Sequence, residues 1–274
     1  MAGTNSYSLA DGRVVTRSLE AHIVDHCNLR CAACCSLSPH LPIWQVEPAA
    51  LRQDLLLARA VLQPTYFKLV GGEPLLHPRL LECVEVAAEV RVAPILSLTT
   101  NGFLLEKMPD RLFEYLDHLT VSLYPKPALG EARLAAIRER CAAFGVELNL
   151  KVQDEFEEIH LSTPREDAAQ TREIFAHCWL RRRCHLLRDG IFYTCTLPVH
   201  RDALHRDRRL VPGDGIALAS RPGLAEEIRL YLEREQPLAA CSACWGGSGP
   251  KLAHHQLGRG ESEPHAASRM VMAE

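Results

Sequence analysis

Three cysteines with short spacing lie near the start of the chain. Cys27, Cys31 and Cys34 form a C-x3-C-x2-C array. Thiolates are soft ligands that suit iron–sulfur clusters and zinc. A structural zinc site takes four protein ligands, and Cys35 is a poor fourth ligand because it directly follows Cys34. The array therefore favours a four-iron cluster on three thiolates, with one iron free to bind another molecule, and zinc is the alternative.

A second set of cysteines lies in the last third of the chain: Cys178, Cys184, Cys195, Cys241 and Cys244. The chain has 11 cysteines, so disulfides cannot pair all of them. Residues 1–17 lack the apolar core of a signal peptide, and no stretch reaches the ~18 apolar residues of a membrane span. We therefore expect a cytoplasmic protein, in which clustered thiols bind metal or act in catalysis.

The composition is that of a folded protein whose main partners are neither nucleic acid nor membrane. Of 274 residues, 47% are hydrophobic and 24% charged, which excludes a disordered chain, a collagen and a pure coiled coil. The 31 basic and 34 acidic residues give a net charge of −3. This balance provides no excess of positive charge for nucleic acid or an anionic membrane.

Hydrophobic patterns in the first 165 residues or so alternate between strands and helices. Strands are predicted at 21–25, 66–70, 94–99, 119–123 and 146–152, with a weaker sixth at 159–162. Helices are predicted at 48–62, 78–88, 111–116 and 131–144, and a later one at 224–233. Such alternation predicts an α/β fold with a parallel sheet, whose functional residues gather at the carboxyl ends of the strands. Five or six strands are too few for a closed eight-stranded barrel, so we expect an open, partial one.

Conspicuous residues follow the predicted strands. Cys27 comes after the first strand, Gly71-Gly72-Glu73 after the second and Asn101 after the third. The segment 27–34, Cys-Asn-Leu-Arg-Cys-Ala-Ala-Cys, resembles the signature motif of the radical S-adenosylmethionine (SAM) superfamily. Gly71-Gly72-Glu73-Pro74 is similar to the GGEP motif of that superfamily. The chain departs from the signature at Ala33, where an aromatic residue is usual.

The resemblance implies a partial (β/α)6-type barrel, a reaction and a set of ligands. Cys27, Cys31 and Cys34 would hold a 4Fe-4S cluster that binds SAM and cleaves it with one electron, from a donor such as flavodoxin or ferredoxin. The resulting 5′-deoxyadenosyl radical removes a hydrogen from the substrate. The residues expected at the SAM site are Gly71, Gly72, Glu73, Ser97, Thr99, Asn101 and Ser122. From the residues alone, Glu73 is equally suited to stabilise a helix N-terminus.

The C-terminal cysteines resemble those of SPASM and twitch domains. Cys178, Gly190 and Cys195 match the opening motif of these domains, and Cys241 and Cys244 match the closing C-x2-C. The resemblance implies one auxiliary 4Fe-4S cluster on these four cysteines, although their spacing alone also allows zinc. Cys184 falls outside the motif. The expected organisation is an extension at 1–18, a barrel at 19–170, a twitch-like domain at 171–257 and a mobile tail at 258–274.

The substrate is predicted less directly. Related small twitch-type enzymes act on aminocyclitols and aminoglycosides, and an acidic group after the fifth strand suggests binding of a cationic amino sugar: Asp154, Glu155, Glu157 and Glu158. A solvated acidic loop is the alternative. We expect epimerisation in natural-product biosynthesis, with Cys184 as hydrogen donor. The alternatives are a dehydrogenase that uses the auxiliary cluster, a ribosomal-peptide-modifying enzyme and a zinc-binding interaction module. His254 and His255 are expected to be a solvated pair, with metal binding as the alternative.

Overall fold

The computed structural model describes residues 6–200 and 214–258. Its helices are α1 (Pro48–Val61), α2 (Leu80–Val90), α3 (Arg111–Tyr115), α4 (Glu131–Phe144), α5 (Ala168–His177), α6 (Leu180–Arg183) and α7 (Leu224–Glu233). Its strands are β1 (Leu9–Ala10), β2 (Arg13–Val24), β3 (Leu62–Gly71), β4 (Ile95–Thr100), β5 (His118–Leu123), β6 (Glu147–Val152), β7 (Glu155–Glu157), β8 (Leu186–Arg188), β9 (Ile191–Tyr193), β10 (Ile216–Ala217) and β11 (Lys251–Ala253). The predicted mobile tail lies outside the described residues from position 259 onward.

One large sheet organises the fold. Its strand order is β10-β9-β8-β2-β3-β4-β5-β6, and the pairs from β8 to β6 are parallel. The crossovers through α1, α2, α3 and α4 connect neighbouring parallel strands, as right-handed β-α-β units do. This confirms the predicted α/β class with a parallel sheet core, consistent with a partial radical SAM barrel.

The sheet separates an apolar side from a polar interior. On β2, Leu19 and Ile23 are fully buried in the core that the helices cover, whereas Glu20 and His22 on alternate positions line a cavity. This alternation follows from the two-residue period of a strand. The parallel register aligns the cavity-lining side chains of adjacent strands in layers, so residues distant in sequence become neighbours. One such layer is Glu20, Lys68, Ser97 and His118.

Two strand predictions differ from the structure. The first strand begins at Arg13 rather than Ala21, because a turn at Asp11-Gly12, with φ of 51° and 73°, folds β1 back onto it. A sixth strand at 159–162 is wrong: His160 forms only an isolated bridge to Cys244. The sixth parallel strand is instead β8, which pairs with β2 at the opposite edge. The C-terminal segment thus extends the sheet.

No helix among residues 6–200 and 214–258 is both long enough and apolar enough to cross a membrane.

Candidate active site

The first cysteine array forms a wall of the large interior cavity. The loop begins where β2 ends at Val24, and Cys27, Cys31 and Cys34 all line a cavity of about 560 Å³. The Leu29 amide donates a hydrogen bond to the Cys27 sulfur at 3.3 Å. The predicted strand-end position therefore brings three thiols together at the carboxyl edge of the sheet.

Burial makes these thiols poor acids unless a cation is present. Desolvation raises the pKa of Cys27 to about 12 and also raises the pKa values of Cys31 and Cys34. A cluster with positively charged irons would stabilise the thiolates. The chemistry of this donor set therefore fits the iron–sulfur group that the sequence motif implies.

The two glycines after β3 serve close backbone packing. A Cβ atom on Gly71 would lie 2.2 Å from the Val24 carbonyl oxygen, and one on Gly72 would lie 2.1 Å from that of His26. The Gly72 amide donates to the Val24 carbonyl at 2.9 Å. Both glycines line the cavity, but what a side chain would first meet is the backbone leading into the cysteine loop, not ligand space.

Glu73 ties the end of β3 to the end of β4. Its carboxylate accepts hydrogen bonds from the Leu75 amide at 3.0 Å, the Thr100 hydroxyl at 2.6 Å and the Asn101 amide at 2.8 Å. Burial raises the pKa of Glu73 to about 6, and these hydrogen bonds oppose that rise. With three acceptor positions filled, Glu73 fixes two strand ends and retains little capacity for a ligand.

The other predicted SAM contacts surround the same cavity. Ser97, Thr99, Asn101 and Ser122 all line it. The Ser97 hydroxyl lies 2.9 Å from Nδ1 of His118. The side-chain amide of Asn101 donates a hydrogen bond to Oδ1 of Asn28 at 2.7 Å, and its nitrogen lies 3.8 Å from the Cys27 sulfur. The structure therefore brings these predicted residues together around one cavity.

Sequence reasoning missed the segment that covers the cysteine loop. The Gln256 side chain donates to the Cys31 sulfur at 3.0 Å, and Nε2 of His254 lies 3.2 Å from that sulfur. His254 stacks on Tyr124 with ring centroids 4.8 Å apart. The expectation of a solvated histidine pair is therefore wrong for His254, which is 8% exposed. The strand before His254, β11, is too short to show a hydrophobic pattern in the sequence, and its pairing with β7 depends on contacts between distant segments.

The C-terminal cysteines divide between two cavities. A second, small apolar cavity is lined by Cys178, Cys195, Cys241 and Cys244. Desolvation raises the pKa of Cys241 to about 12, and it raises those of Cys195 and Cys244. Cys184 lines the large cavity instead, together with the first cysteine array. The division follows the predicted split between motif and leftover cysteine.

Neither cysteine group has the dimensions of a single-ion site. Within the described residues, the group with three ligand atoms inside 4.8 Å is His22, Asp25 and His200. Sulfurs bound to one zinc ion, each at about 2.3 Å from it, would lie within 4.8 Å of one another. In this third group both Asp25 oxygens are already held by Arg188, at 2.6 and 2.9 Å, and Arg188 stacks on Trp44. A guanidinium thus occupies the place that a cation would take.

The predicted acidic site does not face the cavity. Its lining includes none of Asp154, Glu155, Glu157 and Glu158. Glu155 lies 3.8 Å from the Lys251 ammonium, and Glu157 accepts a hydrogen bond from the Gly249 amide at 3.0 Å. Glu155 and Glu157 help to attach β11 to β7. The acidic group therefore gives no support to a cationic amino sugar as the substrate of this cavity.

Comparison with known families agrees with the geometry. Residues 22–124 match the model of the Radical SAM superfamily. This segment is a radical SAM domain, the domain of enzymes that use SAM and a 4Fe-4S cluster, and it contains the cysteine loop, the glycine turn and Ser122.

Curated relatives match less than half of the chain. The GTP 3',8-cyclase of Microcystis aeruginosa (strain NIES-843 / IAM M-2473) is 36% identical over 110 residues, 38% of this chain and 33% of that protein. The GTP 3',8-cyclase of Mycobacterium marinum (strain ATCC BAA-535 / M) is 41% identical over 133 residues, 47% of this chain and 36% of that protein. The chain thus matches about a third of the length of these relatives.

Two solved structures are also similar in part. BtrN in complex with AdoMet and 2-DOIA is 18% identical with a TM-score of 0.47, over 66% of this chain and 73% of that one. BtrN in an open conformation is 16% identical with a TM-score of 0.48, over 84% of this chain and 92% of that one.

Proposed function

We propose that this radical SAM enzyme removes a carbon-bound hydrogen from a small polar substrate and returns hydrogen from Cys184, so that the carbon is epimerised. The main support for this proposal is the position of Cys184. It lines the same cavity as Cys27, Cys31 and Cys34, whereas the other four C-terminal cysteines line a different one. A thiol in this position lines the cavity in which the substrate radical would be formed.

The cofactors and the chain have separate tasks in this proposal. When bound, the reduced cluster cleaves SAM to methionine and a 5′-deoxyadenosyl radical, which abstracts the hydrogen. Cys27, Cys31 and Cys34 would hold the cluster, and Leu29 and Gln256 donate hydrogen bonds to the sulfurs of Cys27 and Cys31. Ser97, Thr99, Asn101 and Ser122 would orient SAM from the strand ends, and Glu73 keeps two of those ends in place.

Cys184 is suited to donate a hydrogen atom rather than a proton. Burial raises its pKa, so the S–H bond persists at neutral pH. Transfer of this hydrogen to the substrate radical forms the new C–H bond and leaves a thiyl radical. One electron from an external donor such as flavodoxin or ferredoxin, with one proton from solvent, restores the thiol.

We further propose an auxiliary 4Fe-4S cluster on Cys178, Cys195, Cys241 and Cys244. Four thiols around one apolar cavity support it, because such a set saturates a cluster and excludes water. The Gly246 amide donates to the Cys244 sulfur at 3.0 Å, as amides around cluster thiolates do. A twitch-like domain is the corresponding assignment for this part of the chain.

One observation favours a dehydrogenase as the second candidate. In a dehydrogenase the substrate radical would lose one electron to the auxiliary cluster and one proton to a base, and His22 lines the cavity. Burial lowers its pKa well below the ordinary value, so its imidazole is neutral. Its Nδ1 lies 3.0 Å from Nε2 of His200, which could accept the proton in turn. The GTP 3',8-cyclases match 38% and 47% of this chain and about a third of their own length, so they support SAM cleavage here and do not assign GTP as substrate.

Turnover in heavy water distinguishes the two reactions. The anaerobically reconstituted enzyme would be given SAM, reductant and a panel of amino sugars, sugar acids and sugar phosphates. An epimerase places one deuterium on the inverted carbon, since the thiol hydrogen exchanges with solvent. Cys184→Ala should still form 5′-deoxyadenosine but give less than about a tenth of the inverted product. The control Cys141→Ala removes a buried thiol of α4 that lines neither cysteine cavity.

Two results would contradict the epimerase. A product two hydrogens lighter than its substrate would establish the dehydrogenase, and loss of that product in His22→Gln would support the second candidate. Normal inversion by Cys184→Ala would remove Cys184 from the mechanism, and Cys35, which also lines the cavity, would be tested next.

A further inference from the structure

We propose that the substrate carries an anionic group, a carboxylate or a phosphate, and that Lys151, Arg183 and Arg17 receive it in the large cavity. This inference rests on the proposed function, because it takes this cavity as the substrate chamber. It also replaces the cationic amino sugar that the sequence suggested, since the acidic residues behind that expectation lie elsewhere.

The charges that line the cavity are mostly positive. Its basic lining residues are Arg17, Lys68, Lys151 and Arg183, and its acidic ones are Glu20 and Glu73. The difference is two positive charges, four minus two. His22 and His118 add none, because burial lowers the pKa of each.

The two acidic groups are already engaged. Glu20 forms an ion pair with Lys68 at 2.9 Å, its cross-strand neighbour in the parallel register. Glu73 is 1% exposed and accepts its three hydrogen bonds from the protein itself. A cationic substrate would therefore find no unpaired carboxylate in this lining.

The remaining basic groups line the same cavity as the proposed hydrogen donor. Arg183 directly precedes Cys184, and the Ser18 hydroxyl donates to the Arg183 carbonyl, which brings the strand of Arg17 beside it. Lys151 lies opposite Ser122 in the β5–β6 register, and its charge acts on the Cys35 thiol. Within the described part of the chain, none of Arg17, Lys151 and Arg183 forms a salt bridge.

The cofactors leave this charge balance nearly unchanged. An oxidised four-iron cluster on three thiolates carries about one negative charge, and SAM carries about one net positive charge. The positive excess of the lining is thus available to the substrate. A cleft lined by one sign of charge raises the local concentration of ligands with the opposite sign.

Charged thiol reagents measure this preference at Cys184 without knowledge of the substrate. Anionic sulfonatoethyl and cationic aminoethyl methanethiosulfonate each form a mixed disulfide with the thiolate and release methanesulfinate. Their rates at Cys184 would be followed by peptide mass spectrometry on the anaerobic holoenzyme, with mercaptoethanol as the reference thiol. We expect the anionic-to-cationic rate ratio to exceed the reference ratio by about tenfold at low salt, and to fall as salt is added.

Two variants and a matched control assign the effect. Lys151→Gln and Arg183→Gln should each lower the ratio at Cys184, and together they should bring it close to that of mercaptoethanol. Lys107→Gln removes an exposed lysine outside the cavity and should leave the ratio unchanged. Protection of Cys184 by glucose 6-phosphate or by glucuronate distinguishes phosphate from carboxylate, with glucose and glucosamine as neutral and cationic counterparts.

The outcomes separate this proposal from the proposed function. An equal or faster reaction of the cationic reagent, a ratio unchanged in the double variant, or stronger protection by glucosamine than by both anionic sugars would overturn the anionic substrate. Formation of 5′-deoxyadenosine is measured on the same preparation. Its absence would contradict the radical SAM function even where the anionic preference at Cys184 is found.

Discussion

The two cysteine-rich regions of this chain differ in what surrounds the sulfurs. Cys27, Cys31 and Cys34 border a cavity of about 560 Å³ that also has hydroxyl, amide and charged side chains in its lining. The C-terminal four border a small cavity lined mostly by apolar groups such as Ile159, Phe175 and Leu197. Three thiols with polar space beside them leave room for a ligand. Four thiols in an apolar shell leave none.

In the proposed assignment, this difference separates a reactive cluster in the first region from a closed one in the second. A metal centre with an open coordination position can bind and activate a substrate, whereas a saturated one serves structure or electron transfer. Cys184 connects the two regions: it belongs in sequence to the C-terminal segment but faces the first cavity. The comparison therefore predicts that removing sulfurs from the two regions has different consequences.

The largest expected effect comes from the open region. The triple variant of Cys27, Cys31 and Cys34 to Ala should abolish SAM cleavage, because no cluster can then bind SAM. Its iron content after anaerobic reconstitution should fall from about eight to about four per chain. Iron and sulfide analysis with liquid chromatography of 5′-deoxyadenosine checks both. Retained SAM cleavage would end the radical SAM assignment.

The closed region should respond through folding as well as iron. Cys241→Ala should lose about four irons and much of its soluble yield, because cluster binding and folding are coupled in metal-stapled units. Cys184→Ala should keep its full iron content. The reverse pattern, full iron in Cys241→Ala and loss in Cys184→Ala, would show that the wrong four ligands were assigned.

For Gly72, the sequence predicts the correct location in the site but not the physical reason for a glycine. The motif places Gly72 at the SAM site, whereas in the structure a Cβ atom at this position would lie 2.1 Å from the His26 carbonyl oxygen. Gly72→Ala should thus destabilise the holoenzyme by about 2–4 kcal/mol and impair assembly of the first cluster. Thermal unfolding and iron analysis measure this. The control Gly130→Ala has no atom within 4 Å of the new Cβ.

Two results for Gly72→Ala would contradict this structural role of the glycine. Unchanged stability with weakened SAM binding by calorimetry would return this glycine to the role that the motif suggests. Unchanged values of both would reduce Gly71-Gly72 to an ordinary turn.

Local patterns predict what depends on neighbouring residues. The bounds of α4 and α7, Glu131–Phe144 and Leu224–Glu233, agree with the helical periodicity, and the site positions follow from strand ends. Contacts between distant segments leave no such signal. The pairing of β8 with β2 and the placement of His254 against Cys31 depend on tertiary packing of pieces only three residues long. The charge of the cavity likewise depends on register, which places Lys68 beside Glu20.

The smallest predicted effect concerns the segment that sequence reasoning missed. Gln256 donates to the Cys31 sulfur and accepts a hydrogen bond from the Arg30 amide at 2.6 Å. Gln256→Glu keeps the acceptor for Arg30 but replaces the donor to sulfur with a carboxylate oxygen. Hydrogen bonds and positive potential at cluster sulfurs favour the reduced state of the cluster. Because Gln256→Glu removes a donor and adds negative charge, the reduction potential of the first cluster should fall by roughly tens of millivolts. Gln170→Glu adds the same charge at an exposed position of α5 and should leave the potential unchanged. A redox titration followed by electron paramagnetic resonance measures this on the auxiliary-cluster background, which should not shift in either variant. An unaltered potential in Gln256→Glu would mean that the C-terminal segment covers the loop without affecting its cluster.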